Sequence, residues 1–219
     1  MIRWIYLKLR GFIMARSGLQ PWGGKAWSRT GAVFKDDPSL GLALPNLTGF
    51  LVPVLRQFMD MHGLGKECLL VSESNAVRER LQPLYPDTRF TTCDKFPRLI
   101  GPDQDTSVDV EWDVCMSTTV WAGRRFNSVI AQALVEHVID PTRAIRNMAS
   151  LLKEDGFLYL MTCTPSFHYH AYPRDYVRFH QDYFEDLPEA LRQTDGLQIR
   201  LEELFLKGGI ICACYQRLG

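Results

Sequence analysis

Between residues 46 and 62 the apolar positions Leu47, Phe50, Leu51, Val54, Leu55, Phe58 and Met59 recur at the spacing of one helix face, and Pro53 fits only near the first turn. The period then changes. Cys68-Leu69-Leu70-Val71 is a short continuous apolar run, as a strand buried on both faces shows. Residues 76–84 read as a helix, and 89–93 as a second strand that ends at Asp94. Further strands are predicted at 112–116, 127–131 and 157–162. Asp140 ahead of Pro141 starts a helix over 141–152, because Asp caps free N–H groups and Pro suits the first helical position. Residues 198–206 and 210–216 flank Lys207-Gly208-Gly209 and read as a hairpin. Strand alternating with helix requires crossover connections, hence an α/β fold with a mostly parallel sheet and helices on both faces.

The segment 20–45 breaks this alternation. It is rich in Gly, Pro, Ser and Trp, with turn signals at Pro21-Trp22-Gly23-Gly24 and Asp36-Asp37-Pro38, and reads as a loop or lid. Residues 1–14 are apolar but carry Arg3, Lys8 and Arg10, well short of the ~20 apolar residues of a membrane span. They suit an interfacial amphipathic helix, or one laid on the protein's own core or on a second subunit. The expected organisation is an extension over 1–45, a homodimer contact being one use of it, and one domain over 46–219.

Composition narrows the partners. With 46% hydrophobic residues in 219, the chain can bury one sizeable core. The 25 basic and 25 acidic side chains cancel, so no long-range field draws the protein to nucleic acid, and a small or neutral acceptor is favoured. Cys68, Cys93, Cys115, Cys163, Cys212 and Cys214 mostly lie inside apolar runs, as small hydrophobes do, which fits a reducing, cytoplasmic setting.

In a doubly wound sheet the ligand sits at the carboxyl ends of the strands, so each loop after a strand is a candidate. Ser72-Glu73-Ser74-Asn75 can turn tightly and cap the next helix. Asp94 supplies an acceptor-only carboxylate at a strand end, or is a solvent-facing turn residue. Residues 164–180 hold His168, His170, His180, Tyr169, Tyr172 and Tyr176, and imidazoles near neutrality suit proton removal. His168, His170, Asp175 and His180 form a possible metal set, but His-x-His is unspecific and Asp175 with Arg178 suffices to lock the loop, so no metal is assigned.

Two stretches carry a family resemblance. Leu134-Val135-Glu136-His137-Val138-Ile139-Asp140-Pro141 and His170-Ala171-Tyr172-Pro173-Arg174-Asp175-Tyr176-Val177-Arg178-Phe179 resemble the S-adenosylmethionine-dependent methyltransferases with a Rossmann-like sheet, type 11-like. The resemblance implies a seven-stranded sheet with an antiparallel last strand. It places Ser72, Glu73 and Ser74 at the cofactor turn, Asp94 on the ribose hydroxyls, Asp113 beside the adenine and Gln132 beside the methionine portion. It makes Tyr172, Asp175, Tyr176 and Arg178 the acceptor wall, with His168 or His170 as base. Glu136 and His137 offer an acid–base pair, but the resemblance favours an architectural role, capping and orienting the loop into the next helix. The departure is the turn after the first strand, where the family's Gly-x-Gly is replaced by residues without a glycine. The implied function is methyl transfer from S-adenosylmethionine to an oxygen or nitrogen of a small molecule. The alternative is a methyltransferase-fold binding or assembly subunit without activity.

Overall fold

The computed structural model describes residues 53–95, 107–167, 169–170, 174–207 and 209–219, and the backbone of 27–28. In chain order the elements are β1 (Trp27–Ser28), α1 (Pro53–His62), β2 (Glu67–Val71), α2 (Asn75–Leu81), β3 (Arg89–Asp94), β4 (Val110–Glu111), β5 (Phe126–Gln132), α3 (Pro141–Ser150), β6 (Leu152–Cys163), α4 (Gln181–Asp195), β7 (Ile199–Lys207) and β8 (Ile210–Arg217). Short 3-10 turns lie at Thr118–Trp121 and Val135–His137.

All strands join one sheet in the order β1-β7-β8-β6-β5-β2-β3-β4. Strands β2 to β6 run parallel, and β8 lies antiparallel between β6 and β7. The expected seven strands become eight because β1, inside the segment read as a loop or lid, pairs antiparallel with β7. The chain moves outward from β2 through β3 to β4, then returns to the other side of β2 for β5 and β6. Strand order therefore reverses between β2 and β5, where open α/β sheets hold their ligands.

Period-two alternation divides the core into two layers. Leu69, Val71, Val129 and Ala131 pack with Ala144, Ile145 and Met148 of α3 and Phe184, Leu187 and Leu191 of α4. Cys68, Leu70 and Ile130 face the other way, onto Val54, Leu55, Phe58 and Met59 of α1 and Val77 and Leu81 of α2. Helices thus cover both faces, as the alternation of strand and helix predicts. Cys212 and Cys214 are fully buried on the α1 face, and the described cysteines are all free thiols.

Several boundaries differ from the sequence reading. The apolar run 112–116 is a turn that follows a strand, because Asp113 accepts from the Cys115 and Met116 amides and Trp112 is buried edge-on against Trp121. Helix α3 ends at Ser150, and β6 begins at Leu152 with an irregularity against β5 before the regular pairing from Ser128 and Phe157. Helix α4 has no counterpart in the sequence reading. Its apolar stripe is interrupted by Pro188 and surrounded by acidic residues, and Gly196 at φ 66° ends it. Gly65 is dictated by space: with φ 67°, an added Cβ would lie 2.4 Å from the Asn127 Cβ. None of the helices in the described residues is long and apolar enough to cross a membrane.

Candidate active site at the switch point

The ends of β2 and β5 define the crevice. Val71 pairs with Ala131, and the residues just beyond take left-handed backbone, Ser72 at φ 61° and Ala133 at φ 48°. Non-glycine residues carry strain there, and such strain gathers at functional sites. Ser72 is held in place by its N–H donating to the Cys93 carbonyl at 2.7 Å and its hydroxyl donating to Asp94 Oδ2 at 3.0 Å. The turn that lacks glycine is therefore achieved by a serine tied to the next strand.

Glu73 follows, half-buried, and burial together with the neighbouring Asp94 pushes its carboxyl up to about 8. Ser74 precedes α2 with extended backbone, and Asn75 anchors the turn by accepting from the Thr92 hydroxyl at 2.7 Å. Asp113 sits beside the end of β3: its Oδ2 is 2.6 Å from Lys95 Nζ, and the Trp112 N–H donates to the Asp94 carbonyl at 3.0 Å. Gln132, buried, closes β5. Ser72, Glu73, Ser74, Asp94, Asp113 and Gln132 thus come from the ends of neighbouring strands, with Ser72 and Asp94 bonded directly.

The segment after β6 forms the facing structure. Arg178 pairs with both oxygens of Asp175, whose Oδ2 also accepts from the His170 N–H at 2.9 Å. The guanidinium holds the Asp175 carboxyl down at about 2, far below its ordinary value, with the His170 amide adding to the effect. His170 Nδ1 lies 3.3 Å from an Arg178 nitrogen and 3.5 Å from Asp175 Oδ2. Tyr176 is 46% exposed, and its N–H donates to the Glu136 carbonyl at 2.8 Å. His168 and Tyr172 lie outside the described residues.

Glu136 and His137 do not cap α3. Asp140 does, accepting from the Arg143 N–H at 3.0 Å. Glu136 is instead fully buried and accepts from the Thr162 hydroxyl at 2.7 Å and the Cys163 thiol at 3.4 Å, while the His137 Nδ1–H donates to the Arg174 carbonyl at 2.6 Å. The pair therefore fastens the loop after β6 to the strand ends. Thr162 and Cys163 were not singled out by sequence reasoning. No local pattern marks them, because their contact with Glu136 depends on the pairing of β5 with β6.

A family model described as a methyltransferase domain matches residues 57–200. The chain belongs to the methyltransferase domain family. The match takes in the crevice residues and the loop after β6, so the turn from Ser72 to Asn75, which has no glycine, lies inside the matched region of this methyltransferase fold. Among solved structures, an S-adenosylmethionine-dependent methyltransferase from Archaeoglobus fulgidus is similar, with 10% identity, TM-score 0.53, and coverage of 75% of this chain and 91% of that one. An O-methyltransferase family protein from Burkholderia thailandensis has 14% identity, TM-score 0.51, and coverage of 76% and 57%. The chain thus spans little more than half the length of the Burkholderia protein. At these identities the likeness is one of fold. No curated protein matches the chain.

Proposed function

We propose that this methyltransferase domain moves a methyl group from S-adenosylmethionine to an oxygen or nitrogen of a small-molecule acceptor. The observation that carries the reading is the acidic crevice at the strand-order reversal, where Glu73 lies beside Asp94 and Ser72 supplies the turn without glycine. S-adenosylmethionine supplies an electrophilic methyl on a positively charged sulfonium, next to an ammonium group. The residues present fit such a ligand, because two neighbouring carboxyls, one held protonated by burial and by the other, gain most from an incoming cation. Asp94 at the end of β3 is suited to accept from ribose hydroxyls, and Asp113 and Gln132 border the same crevice.

The loop residues contribute orientation. Asp175, Arg178 and His170 lock one another, and Glu136 holds the backbone of Tyr176. A wall fixed in this way favours alignment of a bound acceptor, which is the main contribution an enzyme makes to an in-line displacement. The exposed rings of Tyr169 and Tyr176 offer it an aromatic surface. Where the acceptor arrives protonated, an imidazole of this loop, His168 or His170, removes the proton.

Calorimetric titration with S-adenosylmethionine and its demethylated product tests the reading. Saturable binding of both is the expected result. A folded protein that binds neither is a methyltransferase-fold scaffold. Replacing His168 and His170 singly with Asn should keep cofactor binding while one of the two lowers turnover ~10²-fold. Full turnover in both variants would remove the imidazoles from the chemistry.

A further inference from the structure

Glu136, Cys163 and His170 come from three separate places, the 3-10 turn after β5, the last residue of β6 and the acceptor loop, yet one potential ligand atom from each lies within 4.8 Å of the others. Glu136 Oε1 is 3.4 Å from Cys163 Sγ and 4.0 Å from His170 Nε2. We propose that these three side chains bind a divalent transition-metal ion of the zinc class, which clamps the acceptor loop to the carboxyl ends of β5 and β6.

The donor set is one that zinc accepts, namely thiolate sulfur, imidazole nitrogen and carboxylate oxygen. Tetrahedral bonds of about 2.0–2.3 Å put donor atoms roughly 3.3–3.7 Å apart. The oxygen–sulfur pair is already at that separation, the oxygen–nitrogen pair at 4.0 Å has about 0.6 Å to close, and the sulfur–nitrogen pair lies within 4.8 Å.

The outer contacts are those that orient ligands. The other oxygen of Glu136 is held by the Thr162 hydroxyl at 2.7 Å. His170 Nδ1 accepts from the Arg178 guanidinium at 3.3 Å, with Asp175 Oδ2 3.5 Å away, so its Nε2 is the nitrogen turned to the cluster.

Charge gives an independent reason. Glu136 has no exposed surface and already interacts with the Arg178 guanidinium, and a cation in the cluster adds to that compensation. His137 Nε2 also lies 4.0 Å from Glu136 Oε1, while its Nδ1–H donates to the Arg174 carbonyl at 2.6 Å. Binding releases the Cys163 thiol proton to solvent and involves no change of oxidation state.

The proposal shares His170 with the methyl-transfer reading, where a metal on its Nε2 leaves His168 as the base, and its test reads metal rather than turnover. The full chain, stripped with a chelator, is titrated with Co²⁺, and separately loaded with Zn²⁺, desalted and analysed for metal. One equivalent of retained zinc and a near-ultraviolet thiolate-to-cobalt band are expected. Cys163→Ser should abolish the band, and His170→Asn should weaken metal affinity beyond the ~10- to 100-fold typical of an outer-shell loss. A wild-type cobalt spectrum without a thiolate band, no retained metal, or retention unchanged in both variants overturns the proposal. The wild-type spectrum decides even if a variant fails to fold.

Discussion

On the two sides of the β5 end, enclosed carboxyls meet opposite fates. In the crevice, burial and Asp94 push Glu73 up to about 8, and among the described residues no side chain hydrogen-bonds to it. In the loop after β6 the Asp175 side chain is also enclosed, with 1% of it exposed, yet Arg178 holds its carboxyl down at about 2. Burial alone therefore does not set the state of a carboxyl here. The nearest cation does. Asp175 has its cation within the loop, whereas Lys95, a cation of the crevice, pairs with Asp113 and Glu73 is left beside Asp94.

The strongest way to break this contrast is to remove the loop's cation. Arg178→Ala leaves Asp175 enclosed without its partner, and losing one member of a buried pair costs ~3–5 kcal/mol. Chemical denaturation should show a loss of that size, with residues 174–180 losing protection in hydrogen exchange. The pH dependence follows from the lowered value. Asp175 contributes stability above its ordinary 3.8, lost as pH falls through about 2, and the variant should lose that acid limb. A loss under ~1 kcal/mol would class the pair with ordinary solvent-screened surface ion pairs.

On the crevice side the largest expected effect is on binding. Asp94→Ala removes the carboxylate that accepts from the Ser72 hydroxyl and is suited to the ribose, and should weaken cofactor affinity by ~1.5–3 kcal/mol, the scale of a lost charge-assisted hydrogen bond. Melting temperature should change little. Unchanged affinity in a folded variant would take Asp94 out of the site.

The same contrast explains what was legible in the sequence. Strands β2, β3, β5 and β6 could be read because each is an apolar run bounded by turn residues, and the start of α3 because Asp140 and Pro141 act locally. Asp94 and the turn from Ser72 to Asn75 could be placed because strand-end positions follow from topology. Helix α4 was not read, since Pro188 masks its period. The Glu136–Cys163 contact was out of reach for a different reason. It joins residues 27 apart in the chain through the register of β5 with β6, and no local pattern encodes a contact that depends on pairing. Ser72's left-handed backbone was hidden by its side chain, because a glycine is the usual sign of such a turn.

The smallest expected effect sharpens the comparison most. Glu73 has a raised value in the folded chain, so its contribution is fully present below its ordinary 4.5 and is lost as pH rises through about 8. The wild-type protein should therefore melt at lower temperature as pH climbs from 5 to 9, and Glu73→Gln should flatten the dependence. At the alkaline end the variant should gain about 1 kcal/mol, which is ~2–4 °C for a chain of this size. Binding should move the opposite way. A cationic ligand favours the ionised carboxylate, so wild-type affinity for S-adenosylmethionine should rise with pH until about 8 and then level off, by at most tenfold per unit. Glu73→Gln should lose that slope while retaining binding through Asp94 and the Ser72 turn. If the wild-type affinity is flat across this range while its stability still falls, Glu73 is enclosed but does not face the ligand's charge. The contrast between the two sides of β5 would then be one of packing alone.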